Sequence, residues 1–175
     1  MIDAISKKLA INLKNAVPDH PYSEAKLQFG IHLLLNTSFT ITMAVILGLV
    51  FIALPETMLC LFSFALLRMV SGGYHFNSAV LCITVSAAVA VSLPFIAISD
   101  KLLIAINASN VILAFLFAPS RIEGQTRIPK RYFKLLKWIT CCIAASNFIF
   151  NSPLLGLTWL LQTASLIRIK GGENK

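Results

Sequence analysis

The sequence predicts an all-α membrane protein, a polytopic bundle of about six membrane helices in a single domain. Of its 175 residues, 57% are apolar and 13% are charged, and the mean hydropathy is +0.80. Soluble domains average about 25% charged residues, and a chain this short could not hide so much apolar surface from water. The apolar residues also fall in long runs separated by short polar turns, which indicates that lipid is the main solvent.

Residues 1–22 are predicted to form an amphipathic helix that lies in the membrane interface. Apolar residues recur there at three- and four-residue spacing: Ile2, Ile5, Leu9, Leu13 and Ala16. Lysine and asparagine side chains fill the other positions, which is typical of a helix lying among lipid head groups. Pro18 and Pro21 end this helix, and a second helix is expected to begin near Ser23.

Six apolar runs follow, at residues 31–54, 58–70, 79–98, 102–118, 138–150 and 154–167. A tight turn is expected at Pro55-Glu56-Thr57, between the first two runs. The second, fifth and sixth runs are shorter than the roughly 20 residues that cross a bilayer core. We therefore expect those three to be extended by flanking residues or to be re-entrant.

Basic residues predict the orientation of the bundle. They concentrate in the N-terminus, around Arg68, in the loop 119–137 and in the tail 168–175, which lie on alternate connections. Cytoplasmic segments carry this excess of Lys and Arg, so both termini and the basic loop 119–137 are expected in the cytoplasm. The net charge of +8 thus indicates contact with anionic lipid of the bilayer and no nucleic-acid partner.

One polar break, from Arg68 to Cys82, carries the residues suited to chemistry. Gly72 and Gly73 each cost about 1 kcal/mol inside a helix, so the helix is expected to stop near Ser71. Asn77 or Ser78 would cap the next helix, with Cys82 about one turn inside it. On one continuous helix, residues seven apart stand about 10 Å apart along the axis. The break is therefore what could let His75 approach Cys82.

These residue types suit a thiol nucleophile. Cysteine attacks as a thiolate, and an imidazole is the usual partner that activates it. Arg68 could grip a substrate carbonyl or carboxylate, while Gly72 and Gly73 could let a substrate backbone approach closely. No Asp or Glu lies in the stretch, so the hypothesis is a dyad of Cys82 and His75, with Asn77 or a backbone carbonyl orienting the imidazole.

The residues alone leave other interpretations open. A cysteine in a membrane helix is usually a packing residue, and Arg68 could simply extend to the head groups. A non-enzymatic small membrane transporter or export subunit would need a polar pathway through the membrane. The ionisable residues within the spans are few, with His32 near one end. A metal site lacks enough clustered ligands, and no cofactor is predicted.

The pattern Arg68-x-x-x-Gly72-Gly73-x-His75, with Cys82 seven residues later, resembles the accessory gene regulator B (AgrB) family. These are bacterial membrane cysteine endopeptidases that process quorum-sensing propeptides. The resemblance extends over most of the chain, including the basic loop that opens with Ala118-Pro119. It implies that Cys82 is the nucleophile and His75 its base, with Arg68 and Gly73 in support.

The resemblance also implies a substrate and a reaction. The partner would be an AgrD-like propeptide with an amphipathic leader and an acidic tail, and the protein would form a homodimer in the bacterial cell membrane. Cys82 would cleave off the C-terminal part and hold the remainder as a thioester, which then cyclises to a thiolactone or lactone. Lys130 and Arg131, in the basic loop, are expected to attract the acidic tail.

Overall fold

The computed structural model describes residues 2–18, 21–74, 78–122 and 129–167, and within these ranges the chain forms seven α-helices and no β-strand. The helices are α1 (Ile2–Ala16), α2 (Glu24–Val50), α3 (Leu54–Ser71), α4 (Ala79–Ser92), α5 (Asp100–Phe117), α6 (Phe133–Phe150) and α7 (Pro153–Ala164). Single 3₁₀ turns at Leu93–Phe95 and Lys130–Tyr132 follow α4 and precede α6. The predicted all-α class is confirmed.

The outer surface of the bundle is apolar, as expected of a protein that lies in lipid. The helices α2, α3 and α5, and α6 together with the turn before it, are long and apolar enough to cross a membrane. Large apolar side chains stand fully outward, among them Ile52 (94% exposed), Ile149 (83%) and Met69 (77%). In water such a surface would be unstable, so the polytopic membrane assignment is confirmed.

The length of α4 differs from the sequence prediction. The predicted long span 79–98 is in fact short, because α4 has 14 residues and ends at Ser92. Pro94 lacks the backbone N–H that would continue the helical hydrogen bonds, and it lies in the 3₁₀ turn that follows. The helix is therefore about 21 Å long, less than a hydrocarbon core of about 30 Å. The last helix, α7, is also short, as predicted, at 12 residues.

The second run, predicted to be short, forms an 18-residue helix because α3 begins earlier than expected. Pro55 lies in its first turn, where a missing backbone N–H costs nothing. The prediction of a tight turn at Pro55-Glu56-Thr57 was wrong, because these residues lie in the first turn of α3. The chain reverses instead around Ile52, which has a positive φ of 55°.

The amphipathic N-terminal segment is a helix, as predicted, and it packs against the first half of α2. Its buried residues are Ile2, Ser6 and Ala10, which lie four apart on one face. Asp3 Oδ1 lies 3.1 Å from His32 Nδ1 on α2 and ties the two helices together. Its position in the membrane interface remains a prediction.

Basic residues gather at one end of the bundle, which we call the connector end. Here α3, α5 and α7 end while α4 and α6 begin. The described basic side chains of this end are Arg68, Arg121, Lys130, Arg131, Lys134 and Lys137. The opposite end holds the reversal at Ile52 and the first turn of α5, with Asp100 and Lys101. The predicted alternation of charge therefore corresponds to two physical ends.

Fully buried amides join α5, α6 and α7 inside the bundle. Asn147 Nδ2 donates to Asn107 Oδ1 (2.9 Å), Asn110 Nδ2 donates to Gly156 O (3.0 Å), and Thr163 Oγ1 donates to Asn110 Oδ1 (3.1 Å). Asn147 also bonds Ser152, accepting from its N–H (3.1 Å) and donating to its carbonyl (2.9 Å). These uncharged groups form hydrogen bonds with one another, so the network holds the three helices together.

We expect Asn147→Ala to lower the free energy of unfolding by about 1–3 kcal/mol, because it leaves Asn107 and the Ser152 backbone without their buried partner. Denaturant titration of the purified protein in detergent micelles measures this. Ser109→Ala is the matched control, since Ser109 is exposed and bonds only within its own helix, to Ala105 O. Equal losses in the two variants would contradict a structural role for the network.

Candidate active site

Residues 72–74 follow α3, and we call them the connector. This end of α3 and the connector are hydrogen-bonded to the loop between α5 and α6. The helix ends at Ser71, and Gly72 and Gly73 turn the chain with φ of 74° and 129°. Ser120 N donates to Ser71 O (2.9 Å), and Gly73 N donates to Ser120 O (3.0 Å). Gly72 and Ser120 thereby form an isolated parallel β-bridge. Backbone groups that the broken helix would leave unpaired are thus satisfied by a second segment.

The end of α7 is also hydrogen-bonded to the connector and to Ser71. Gln162, fully buried, donates through Nε2 to Gly72 O (2.6 Å) and to Ser71 Oγ (3.0 Å). Tyr74 N donates to Ser165 O (3.2 Å). We call this set of bonds between Ser71–Tyr74, Ser120, Gln162 and Ser165 the clamp. It joins the end of α3 to the segment after α5 and to the end of α7.

The two glycines are needed because the chain's own atoms fill the space around them. A Cβ on Gly72 would lie 2.1 Å from Ser120 O and 2.6 Å from Ile122 Cγ1. A Cβ on Gly73 would lie 2.6 Å from Ser165 Oγ. The sequence analysis suggested that a substrate backbone could approach these glycines closely. In the structure, the atoms that approach them belong to the protein itself.

Cys82 lies in the first turns of α4, at the connector end. Ser78 is the N-cap and accepts a hydrogen bond from Leu81 N (3.5 Å), as predicted for one of the two candidate caps. Cys82 is the fourth residue of the helix and is half-buried. Asn36 of α2 points its side-chain amide at this thiol, with Nδ2 3.8 Å from Sγ. The thiol is therefore accessible and has a polar neighbour from another helix.

Arg68 is held close to this thiol by the last turn of α3. Its guanidinium donates through Nη2 to Tyr74 O and lies over the ring of Phe64, 5.7 Å from the centroid. It is near enough to Cys82 for an electrostatic interaction between the two side chains. Arg121 covers the ring of Tyr74 at 5.0 Å. Two cations thus contact Tyr74, Arg68 through the carbonyl and Arg121 through the ring.

The other predicted site residues fall into two groups. His75 and Asn77 lie outside the described residues, so the predicted dyad stays a prediction. Lys130 and Arg131 are exposed on the 3₁₀ turn before α6, at the connector end. The loop predicted at 119–137 is shorter than expected, because α6 already begins at Phe133.

The remaining cysteines and the metal alternative have simple structural descriptions. Cys60 is buried, with its sulfur 3.2 Å from Thr158 Oγ1, and Cys141 is buried as well. Cys142 is exposed on the outer face of α6. In the part of the chain that the structure describes, no three residues of the His, Cys, Asp and Glu types come together as a metal site.

Sequence reasoning missed Asn36, Gln162 and Ser120. Each is a single polar residue in or beside an apolar run, and such residues are common in membrane helices without any function. The available signal was that an amide buried in lipid needs a partner. Finding that partner required the tertiary contacts.

Gly72→Ala is expected to destabilise the protein by more than Gly73→Ala, because it collides with the backbone of Ser120 whereas Ser165 can rotate its hydroxyl away. Gly30→Ala is the control. Gly30 lies within α2 with nothing within 4 Å of an added Cβ, so alanine should be neutral or stabilise by up to about 1 kcal/mol. Thermal unfolding in micelles ranks the three variants, and the reverse order would contradict the clamp.

Comparison with known proteins agrees with this architecture. AgrB-like protein 2 of Clostridium perfringens (strain 13 / Type A) is 30% identical over 96 residues, which cover 55% of this chain and 45% of that relative. The match therefore spans about half the length of the relative. No solved structure matches the chain. The model of accessory gene regulator B matches residues 2–167, from α1 through the clamp to the end of α7. The chain therefore belongs to the accessory gene regulator B family.

Proposed function

We propose that this chain is a membrane cysteine endopeptidase that removes the C-terminal part of an AgrD-like quorum-sensing propeptide. Membership of the family assigns it to the accessory gene regulator system of a bacterial membrane, together with an AgrD-type propeptide. The observation that carries the finer proposal is the setting of Cys82. This half-buried thiol, at the start of a helix, meets an amide of α2 and the charge of Arg68 at one end of the bundle.

The reaction begins with a proton transfer. His75 accepts the thiol proton of Cys82, and the sulfur attacks a peptide carbonyl of the propeptide. The C–N bond breaks, the leaving amine takes the proton from the imidazolium, and a thioester joins Cys82 to the N-terminal part. A cysteine or serine of the substrate then attacks the thioester, which closes a thiolactone or lactone and frees Cys82. Forming the thioester from an amide is uphill, whereas ring closure starts from an acyl group that is already activated, so this second step is nearly balanced in free energy.

Arg68 supplies a fixed positive charge beside the reacting sulfur. The Tyr74 carbonyl and the Phe64 ring hold its guanidinium, so the side chain need not reorganise during the reaction. A charge positioned in advance acts more strongly than a mobile one. In this role Arg68 favours the negatively charged forms of the site, the thiolate and the tetrahedral intermediate.

The connector end is assigned to the cytoplasm in this proposal. Its concentration of Lys and Arg supports this side, and the proposal assigns both termini to the cytoplasm as well. The propeptide then reaches Cys82 from the cytoplasm. Homodimer formation, which the family resemblance implies, stays a prediction.

Cys82→Ala is expected to abolish propeptide cleavage while the protein remains folded in the membrane. The measurement is cleavage of a co-expressed AgrD-like propeptide, followed by mass spectrometry of the membrane fraction. Cys142→Ala, which removes the exposed thiol on the outside of α6, should cleave at the normal rate. If Cys82→Ala still cleaves, the endopeptidase proposal fails, and a non-enzymatic transporter or export subunit becomes the better account.

Replacing both Lys130 and Arg131 by Glu is expected to slow cleavage several-fold at low ionic strength, because the exposed turn would then repel an acidic substrate tail. The deficit should shrink at about 1 M salt, where the Debye length is about 3 Å. Lys101→Glu, an exposed change at the opposite end, is the control. An unchanged rate in the double variant would remove this turn from substrate binding.

A further inference from the structure

The side-chain amide of Asn36 has two polar atoms. Among the described residues, only one of these atoms has a hydrogen-bond partner. Its Nδ2 lies 3.8 Å from Cys82 Sγ. Its Oδ1 is buried and accepts no hydrogen bond from the residues that the structure describes. An amide oxygen buried without a donor costs about 1–3 kcal/mol, and in lipid no water relieves that cost. The arrangement is therefore incomplete until something else binds next to Cys82.

The backbone N–H groups of Leu81 and Cys82 already have hydrogen-bond acceptors within the chain. A helix leaves the N–H groups of its first residues unbonded, and these often bind anions. Cys82 stands one position too far along α4, since its own N–H already donates to Ser78 O at 3.0 Å. The N–H of Leu81 is likewise directed to Ser78 Oγ. With these two N–H groups already engaged, a side chain next to the thiol is a good candidate for the donor to the oxygen of an attacked carbonyl.

Asn36 Nδ2 is at the right distance to be that donor. When sulfur bonds to a carbonyl carbon, the carbonyl oxygen lies one bond beyond that carbon. A group 3.8 Å from the sulfur can then come within the roughly 2.7–3.1 Å at which oxyanion donors act. The packing of α2 against α4 fixes this geometry, and Ala87 and Ala44, both fully buried, allow the two helices to approach closely.

We propose that Asn36 is a catalytic residue of the peptidase reaction, and this inference rests on the proposed function. Nδ2 donates to the oxyanion that forms when Cys82 Sγ attacks the carbonyl carbon and the C=O π electrons move to oxygen. It releases that oxygen when the C=O bond re-forms and the C–N bond breaks. Oδ1 accepts a backbone N–H of the bound substrate, which supplies the partner that the free protein lacks.

Two rates measured on the same protein test this role. The full-length chain, with Cys60, Cys141 and Cys142 replaced by alanine, is reconstituted in liposomes, and single-turnover cleavage of an AgrD-like propeptide is followed. Alkylation of Cys82 by iodoacetamide is measured in parallel. Alkylation displaces iodide at a saturated carbon and forms no oxyanion, so it reports the thiol alone.

Asn36→Leu is the main variant, because leucine has nearly the same size and suits an apolar helix. We expect it to slow cleavage about 10²–10³-fold, the usual effect of losing one oxyanion donor, while alkylation stays within about two-fold. Asn36→Ala should behave in the same way. Thr37→Ala, an exposed neighbour on α2, should change neither rate.

Several results would overturn the inference. Cleavage by Asn36→Leu at the unmodified rate would show that the amide is dispensable. A parallel fall in alkylation and cleavage would show that Asn36 acts on the thiol or on its accessibility rather than on the oxyanion. The proposed function fails separately, if the protein with only Cys82 remaining does not cleave or if Cys82→Ala still does.

Discussion

The clamp on the glycine connector is the constraint on which the rest of the structure depends. A helix that stops at the edge of a membrane leaves backbone groups unpaired, and lipid cannot satisfy them. Here Ser120 and Gln162 supply the missing partners, one from the loop after α5 and the other from α7. The connector therefore ties the ends of α3, α5 and α7 together. Cys82 lies at this same end of the bundle, in the first turns of α4.

Polar groups in this bundle serve two different purposes. Asn107, Asn110 and Asn147 are fully buried and bond to one another or to backbone, so they hold α5, α6 and α7 together. Asn36 is different because one of its atoms has no partner and the other faces a thiol. This contrast separates an amide that stabilises the fold from one that is ready to bind a substrate.

The distribution of charge links the fold to the proposed chemistry. The same excess of basic residues that would orient the chain during insertion also surrounds the connector, where Arg68 and Arg121 lie over aromatic rings. A propeptide with an acidic tail would be attracted to the end of the bundle that carries the thiol. In the proposed reaction, long-range attraction would bring the substrate to this end, and short-range contacts at Cys82 would select the bond.

The membrane class, the order of the helices, the break after Ser71 and a cap at Asn77 or Ser78 could all be predicted from the sequence. These features depend on local physics, namely the length of apolar runs, the cost of glycine in a helix and the hydrogen bond of a capping hydroxyl. The tertiary structure was needed to show that Asn36 contacts Cys82 and that Gln162 and Ser120 bond to the connector. Those contacts join residues 46 to 91 positions apart, and no local pattern records which buried polar group will find which partner.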